Sequence, residues 1–391
     1  MERLRNTLHS FFKGTDFLLI SLCLIVSFFG CLFVHSATLS SISEGQSLSR
    51  DSRTMIIAVS AGLIISLIIS MLDYEFILKL WPIIAGGSLL LMVSLFFFGV
   101  GPDARSDANT WLKFGPVFFQ PSELVKIAFV ITFTVHLELI GDGIEKIKNI
   151  LFLCVHAGLY IGLVVLTGDI GSSLVFIFIF IGMMFIANLK TRYFAIGLLA
   201  VIAAVPLVWT KVFSQIQKER FLALFYPNDY PDVIYQQNQS IKAIGSGGII
   251  GKGLFHGSFS QSGAVPERQN DMILSVVGEE AGLIGCILLL ILFLAIIIKI
   301  TKNARSSKDN PGMFLCYGLA SMFASQIIIN IGMCLELLPV IGITLPFMSA
   351  GGSANLCTYI AIGIILSVYR HNKEQESYTF SVNIIKNSYK N

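Results

Sequence analysis

The run IGCILLLILFLAIII, Ile284–Ile298, carries no charged side chain and no strongly polar one. A soluble helix needs a polar face toward water, and this run has none, so its natural solvent is lipid. Immediately upstream the character reverses. The stretch YQQNQSIKAIGSGGIIGKGLFHGSFSQSGAVPERQNDMILSVVGEEAGLIG, Tyr235–Gly285, is polar and rich in glycine, and it places Asp271 where an apolar helix begins. Membrane-grade helices joined to one chemically dense segment is the pattern that the rest of the chain repeats.

Only 13% of the 391 residues are charged and 54% are hydrophobic. Soluble domains carry about 25% charged residues, so a soluble multi-domain fold is excluded. The fold class is all-α, a polytopic membrane protein. The net charge of +3 and the lack of a basic run with interleaved aromatics give no support to nucleic-acid binding. The seven cysteines form no C-x-x-C pair and sit in or beside apolar runs, which reads as packing. The histidines show no metal-ligand spacing.

Ten apolar spans are predicted: Phe17–Val34, Met55–Leu72, Ile77–Phe98, Leu124–Ile140, Ile150–Leu166, Leu174–Leu189, Tyr193–Val212, Met272–Ile300, Met313–Leu335 and Leu356–Tyr369. The first resembles a signal peptide but is long for one, and reads as a retained helix. Lys and Arg set the orientation. Arg3, Arg5, Lys13, Lys79, Lys146, Lys148, Lys190, Arg192, Lys299, Lys302, Arg305 and Lys308 fall on one side, against Arg50, Arg53, Arg105 and Lys113 on the other. Both termini are therefore expected in the cytoplasm, with residues 1–370 forming the membrane domain. Residues 212–271 form a large extracytoplasmic loop between the seventh and eighth helices, and 371–391 a polar, loosely ordered tail. No repeat of an inverted-topology transporter is visible.

Five polar features fall on the outer side. In QPSELVK, Pro121 suits the first turn of a helix. Glu123 and Lys126 then share a face, either as a self-satisfied pair or as a wall for a charged ligand. Trp111, just upstream, reads as an interfacial belt residue or a ligand contact. In TGDIGSS, Asp169 suits a helix cap. Arg220 can grip a phosphate or lie solvated on the surface. SGGIIGKG, with Lys252, lacks the phosphate-loop pattern, although glycine-rich backbone can cradle an anion. PERQND brings Glu267, Arg268 and Asp271 ahead of Glu279 and Glu280; the bland role for Asp271 is an N-cap. LPVIGITLPFMSAGGSAN, Leu338–Asn355, has two prolines and no charge, and can fold back at the membrane edge if protein buries its backbone. Ser349 and Ser353 within it serve a ligand or that backbone. A mixed-charge cavity among lipid-facing helices suits an amphiphile with an anionic head and a lipid tail.

WLKFGPVFFQPSELVK, GDIGSSL, YQQNQSIKAIGSGGIIGKG, VPERQNDMILSVVGEEAGLIG and NIGMCLELLPVIGITLPFMSAGGS together resemble the SEDS family of bacterial shape, elongation, division and sporulation proteins. The resemblance runs from the first span to Arg370. It implies a peptidoglycan glycosyltransferase that polymerises lipid II at the outer face of the bacterial cytoplasmic membrane, beside a class B penicillin-binding protein and other elongation or division proteins. Asp271 matches the family's essential aspartate, and Glu123 and Lys126 match its Q-P-S-E-x-x-K positions. These three are the expected catalytic set. Trp111, Gln120, Asp169, Arg220, Lys252, Glu267, Ser349 and Ser353 are the expected substrate contacts. A divalent cation, Mg²⁺ or Mn²⁺, is the expected cofactor. QIIINIGM, Gln326–Met333, and the short tails favour the RodA-like elongation branch. The chain departs from the pattern at NDMIL for T-D-F-I-F, TGDIG for Q-P-D-L-G, Thr110 for a basic residue and SAGGS for S-Y-G-G-S. Two readings from other classes stand beside this one: a lipid II flippase without chemistry, and a scaffold for a transpeptidase.

Overall fold

The computed structural model describes residues 14–42, 46–101, 108–115 and 117–388, the side chains beyond Lys373 excepted. Arg3, Arg5, Lys13 and Arg105, four of the basic residues on which the expected orientation depends, lie outside them. Helices dominate, in chain order α1 (Phe17–Ala37), α2 (Arg50–Met71), α3 (Tyr74–Lys79), α4 (Trp81–Phe98), α5 (Pro121–Ile140), α6 (Ile147–Leu166), α7 (Ile170–Ile186), α8 (Thr191–Lys211), α9 (Gln215–Ala223), α10 (Pro231–Gly247), α11 (Ser258–Ser262), α12 (Ile273–Arg305), α13 (Asn310–Cys334) and α14 (Gly352–Ser388). A small antiparallel sheet of β1 (Gly99–Val100), β2 (Trp111–Phe114) and β3 (Val117–Phe119) sits between α4 and α5. Among the described residues nine helices are long and apolar enough to cross a membrane, and α7 is apolar but shorter.

Burial follows from position in the bundle rather than from hydropathy. Helices α5, α13 and α14 are largely buried, whereas α8, just as apolar, buries none of its residues. A helix that is apolar all round is equally stable against protein or lipid, so both placements are open to such sequences. Helix α14 packs along α2, and α13 runs beside α7 and α12.

Several boundaries differ from the sequence reading. The expected span Ile77–Phe98 is divided into α3 and α4, because Pro82 has no N–H to continue a helix and sits in the first turn of α4. The segment read as one large loop contains α9, α10 and α11. The tail read as loosely ordered continues α14 as helix to Ser388. The expected span Met272–Ile300 is interrupted: Gly282 has φ 66° and ψ −165° within α12. A Cβ on Gly282 would lie 2.4 Å from the amide nitrogen of Gly251, so only glycine fits this crossing. The backbone groups freed by the break pair with the glycine-rich turn after α10. Leu283 N donates to Gly248 O (3.0 Å), Ile284 N to Ile249 O (3.2 Å), and Gly253 N to Glu280 O (3.0 Å). Residues 273–280 are all buried, whereas Leu283, Ile284 and Ile287 are about half exposed. The lipid-facing part of α12 therefore begins after the break.

Candidate active site at one end of the bundle

Gln120, the N-cap of α5, has a side chain that leaves the helix and donates from Nε2 to Asp169 Oδ2 (3.0 Å). Ser122 Oγ donates to the same oxygen (2.9 Å), and Asp169 Oδ1 accepts from Ser172 N (3.0 Å) to cap α7. Asp169 thus performs the capping role and also ties α5 to α7. The Gln120 amide donates to Ser353 Oγ (3.4 Å) at the start of α14. One turn into α5, Lys126 Nζ donates to Glu123 Oε1 at 2.8 Å, with Lys126 0% and Glu123 6% exposed. Such burial is tolerated only when the two charges satisfy each other. The pair is a fixed dipole beneath the surface.

Asp271 sits in the turn ahead of α12, partly exposed. The N-cap of α12 is Met272, with no side-chain capping bond of its own, and Asp271 precedes it by one residue. Its backbone is held from three directions. Asn330, wholly buried in α13, donates both amide hydrogens, to Asp271 O (2.8 Å) and Ile343 O (2.7 Å). Ser349 Oγ donates to Asn270 O (2.7 Å) and accepts from Leu345 N (2.8 Å), while Ala350 N donates to Gln269 O (2.9 Å). Arg268 Nε donates to Ala37 O at the end of α1 (2.7 Å). Glu267 takes a left-handed backbone, φ 51°, and accepts from Asn270 Nδ2 (2.8 Å), closing the turn.

The segment Leu338–Asn355 joins these parts. It is mostly buried and folds back between helices, as its lack of charge suggested. Val340 O accepts from Arg220 Nη1 (2.9 Å), Ile343 O from Asn330, and Ser353 meets Gln120. A Cβ on Gly171 would lie 2.5 Å from Ile341 O, so glycine lets α7 touch this segment. Arg220 lines a recess with Gly168, Ile170, Gly171, Gln217 and Ile341. Trp111 lies in β2, opposite Val100, and Asn109 N donates to Thr167 O (3.0 Å), which fixes the sheet to the Asp169 turn.

The structure therefore gathers Gln120, Asp169 and Ser353 in one contact set. Asp271, Glu267 and Ser349 form a second, and Arg220 joins the Leu338–Asn355 segment that links them. Lys252 belongs elsewhere: its Nζ donates to Glu279 Oε1 (2.8 Å) and Ser258 Oγ (2.8 Å). Glu279 is fully buried and also accepts from the amides of Phe259 (2.9 Å) and Ser260 (2.8 Å). That carboxylate holds the α10–α11 connection onto α12. Ser349 spends its hydroxyl on backbone, one of the two roles open to it. Asn330 was missed by sequence reasoning; its one available signal is an amide inside the apolar run QIIINIGM.

The family described as cell cycle protein, FtsW/RodA/SpoVE, matches residues 16–374. The chain belongs to this family. A probable peptidoglycan glycosyltransferase FtsW of Geobacter sp. (strain M18) is 30% identical over 367 residues, covering 91% of this chain and 97% of the relative. Peptidoglycan glycosyltransferase MrdB of Escherichia coli (strain K12) is 30% identical over 345 residues, covering 88% and 91%. A chain from a structure described as "Structural coordination of polymerization and crosslinking by a peptidoglycan synthase complex" superposes with a TM-score of 0.76, at 26% identity, over 92% of this chain and 98% of that one. The rod shape determining protein RodA of Thermus thermophilus shares the fold with a TM-score of 0.67 at 24% identity, over 92% of this chain and 97% of its own. The FtsW/RodA/SpoVE match spans all of α1–α13 and the membrane part of α14, so both contact sets fall inside it.

Proposed function

We propose that this protein is a peptidoglycan glycosyltransferase that polymerises lipid II into glycan strands for cell elongation. It works at the outer face of the cytoplasmic membrane beside a class B penicillin-binding protein. Membership of the family and the names of the relatives support the reaction class. The observation that carries the site assignment is the anchoring of Asp271, a partly exposed carboxylate whose backbone neighbours bond to α1, α13 and the Leu338–Asn355 segment.

In the reaction, the 4-hydroxyl of an acceptor N-acetylglucosamine attacks C1 of the donor N-acetylmuramic acid. The new O4–C1 bond forms as the C1–oxygen bond to the diphosphate breaks. The hydroxyl proton passes to Asp271, and undecaprenyl diphosphate leaves with the electron pair. A positioned general base contributes typically 10²–10⁴-fold, and rigid support for that base is what the bonds around Asp271 supply. Arg220, lining its recess, is the side chain suited to the leaving diphosphate, because a guanidinium matches phosphate geometry. The buried Glu123–Lys126 pair lies about one helical turn into α5 from Gln120 and imposes a fixed local field there. Among the described residues no three His, Cys, Asp or Glu side chains cluster as a metal site. Mg²⁺ is commonly held by one or two carboxylates plus substrate phosphates, and Asp271 or Glu267 fits that lesser demand. A bound divalent ion would offset diphosphate charge.

The test is incubation of purified full-length protein with labelled lipid II, with and without its transpeptidase partner and with Mn²⁺, Mg²⁺ or chelator. Polymer that forms without another glycosyltransferase supports the reading. Lipid II that crosses liposome membranes with no polymer formed overturns it in favour of transport.

A further inference from the structure

At the far end of α12 from Asp271, the last turns of α12 and residues 369–373 of α14 flank an open recess of about 300 Å³. Lys299, Lys302, Asn303, Ser306, Asn372 and Lys373 line it, with Tyr369 at its wall. These lysines are not equivalent. Lys299 Nζ is bonded to Asp16 Oδ2 (2.9 Å), a carboxylate that also accepts from Asn303 Nδ2 (2.8 Å), and it lies 5.4 Å from the Tyr369 ring centre. Lys302 is exposed, and among the described residues no carboxylate lies within ion-pair distance of it. Asn372 is only 4% exposed. Its Oδ1 accepts from Lys308 N (3.4 Å), which fixes the amide orientation, and its buried Nδ2 has no partner. A buried N–H without an acceptor costs roughly 1–3 kcal/mol.

We propose that this recess binds the phosphodiester headgroup of an anionic phospholipid. The chemistry is specific on three counts. The recess offers an unsatisfied neutral donor at its wall, the Asn372 amide, and the exposed Lys302 ammonium at its mouth, which together suit a phosphate oxygen better than a neutral group. The Asp16 carboxylate is already occupied by Lys299 and Asn303, so it holds one lysine in place and does not cancel Lys302. The site lies where the apolar run of α12 ends and Lys299, Lys302 and Arg305 begin, the depth at which a phospholipid presents its phosphate. Tyr369 at this depth supplies the amphipathic ring of the membrane interface. Lysines near an anionic leaflet contribute roughly fivefold each in affinity. What distinguishes this recess from the general basic belt is the convergence of α12 and α14 on a cavity with a spare buried donor.

The experiment uses the full-length protein in nanodiscs of phosphatidylglycerol mixed into phosphatidylcholine, with retained lipid counted by native mass spectrometry. Wild-type protein is expected to keep phosphatidylglycerol in preference to phosphatidylcholine. The variant Lys302→Gln, at an exposed position, is expected to weaken retention roughly fivefold. A control at another basic stretch of the same face, Lys146→Gln/Lys148→Gln, is expected to retain the lipid. Asn372→Leu, checked for folding by its melting temperature, is expected to weaken retention without loss of Lys302. Equal loss in the control and in the recess variant would reduce the effect to general surface charge and overturn the assignment. So would displacement of the lipid by millimolar inorganic phosphate, which would make this a free-anion site.

Discussion

Replacing Glu123 by leucine removes the carboxylate bonded to an ammonium group that is 0% exposed. Because Lys126 is fully buried and Glu123 nearly so, solvent screening gives little relief. Breaking a buried pair from one side costs about 3–5 kcal/mol, whereas replacing both members by apolar groups of similar volume is near neutral or stabilising. Glu123→Leu and Lys126→Met are therefore each expected to lower stability by about 3–5 kcal/mol, and the double variant to recover most of it. The cycle should close with a coupling of at least about 3 kcal/mol. Thermal unfolding of the four proteins in one detergent gives the order of stability, and lipid II polymerisation is measured on the same preparations. The double variant is expected to be stable and nearly inactive, since the fixed dipole in the first turns of α5 is gone. Single variants within about 0.5 kcal/mol of wild type would refute the burial argument. A double variant that is both stable and fully active would make the pair a packing device with no part in the chemistry.

Asn330→Leu removes a donor from the buried carbonyl of Ile343 and another from the part-buried carbonyl of Asp271. It is expected to cost about 2–4 kcal/mol in melting experiments and to lower kcat more than it raises KM. Gly282→Ala forces a Cβ to 2.4 Å from Gly251 N at a positive φ and should destabilise by more than about 2 kcal/mol. Gly86→Ala in α4, where a Cβ meets nothing within 4 Å, should be neutral or stabilising by about 0.5–1 kcal/mol; unfolding midpoints of the two compare them directly. Arg220→Ala should raise KM for lipid II at least several-fold and, through the lost bond to Val340 O, lower stability by about 1–3 kcal/mol; an unchanged KM would remove Arg220 from diphosphate binding.

Hydropathy carried the architecture because a membrane span needs only length and apolarity, and both are written in runs such as Ile284–Ile298. Helix starts were legible where a residue acts locally: Pro121 in the first turn of α5 and Asp169 as the cap of α7. The position of Gln120 beside Asp169 and Ser353 was legible only as membership of one end of the bundle, since that contact crosses 49 residues in one direction and 233 in the other. The break in α12 escaped notice because Gly282, between Glu280 and the apolar run that follows, looks like ordinary helix, and what demands glycine there is the backbone of the Ile249–Gly251 turn, far upstream in the chain. Lys252 read as a ligand group for the same reason: its partner Glu279 lies 27 residues away, and a lysine in a glycine-rich stretch does not reveal a buried carboxylate opposite it. Asn330 was hidden by chemistry, because an amide in a membrane span has several uses and only the fold shows which carbonyls it meets.

All of the proposed chemistry passes through one carboxylate. Asp271→Asn keeps the shape of the side chain and, because Asn330 and Cys334 bond to the backbone carbonyl of this residue, keeps its anchoring too. Purified Asp271→Asn protein supplied with labelled lipid II should melt like wild type, bind the substrate, and form polymer at least about 10²-fold more slowly. Polymer formed at the wild-type rate would contradict the assignment of Asp271 as the base.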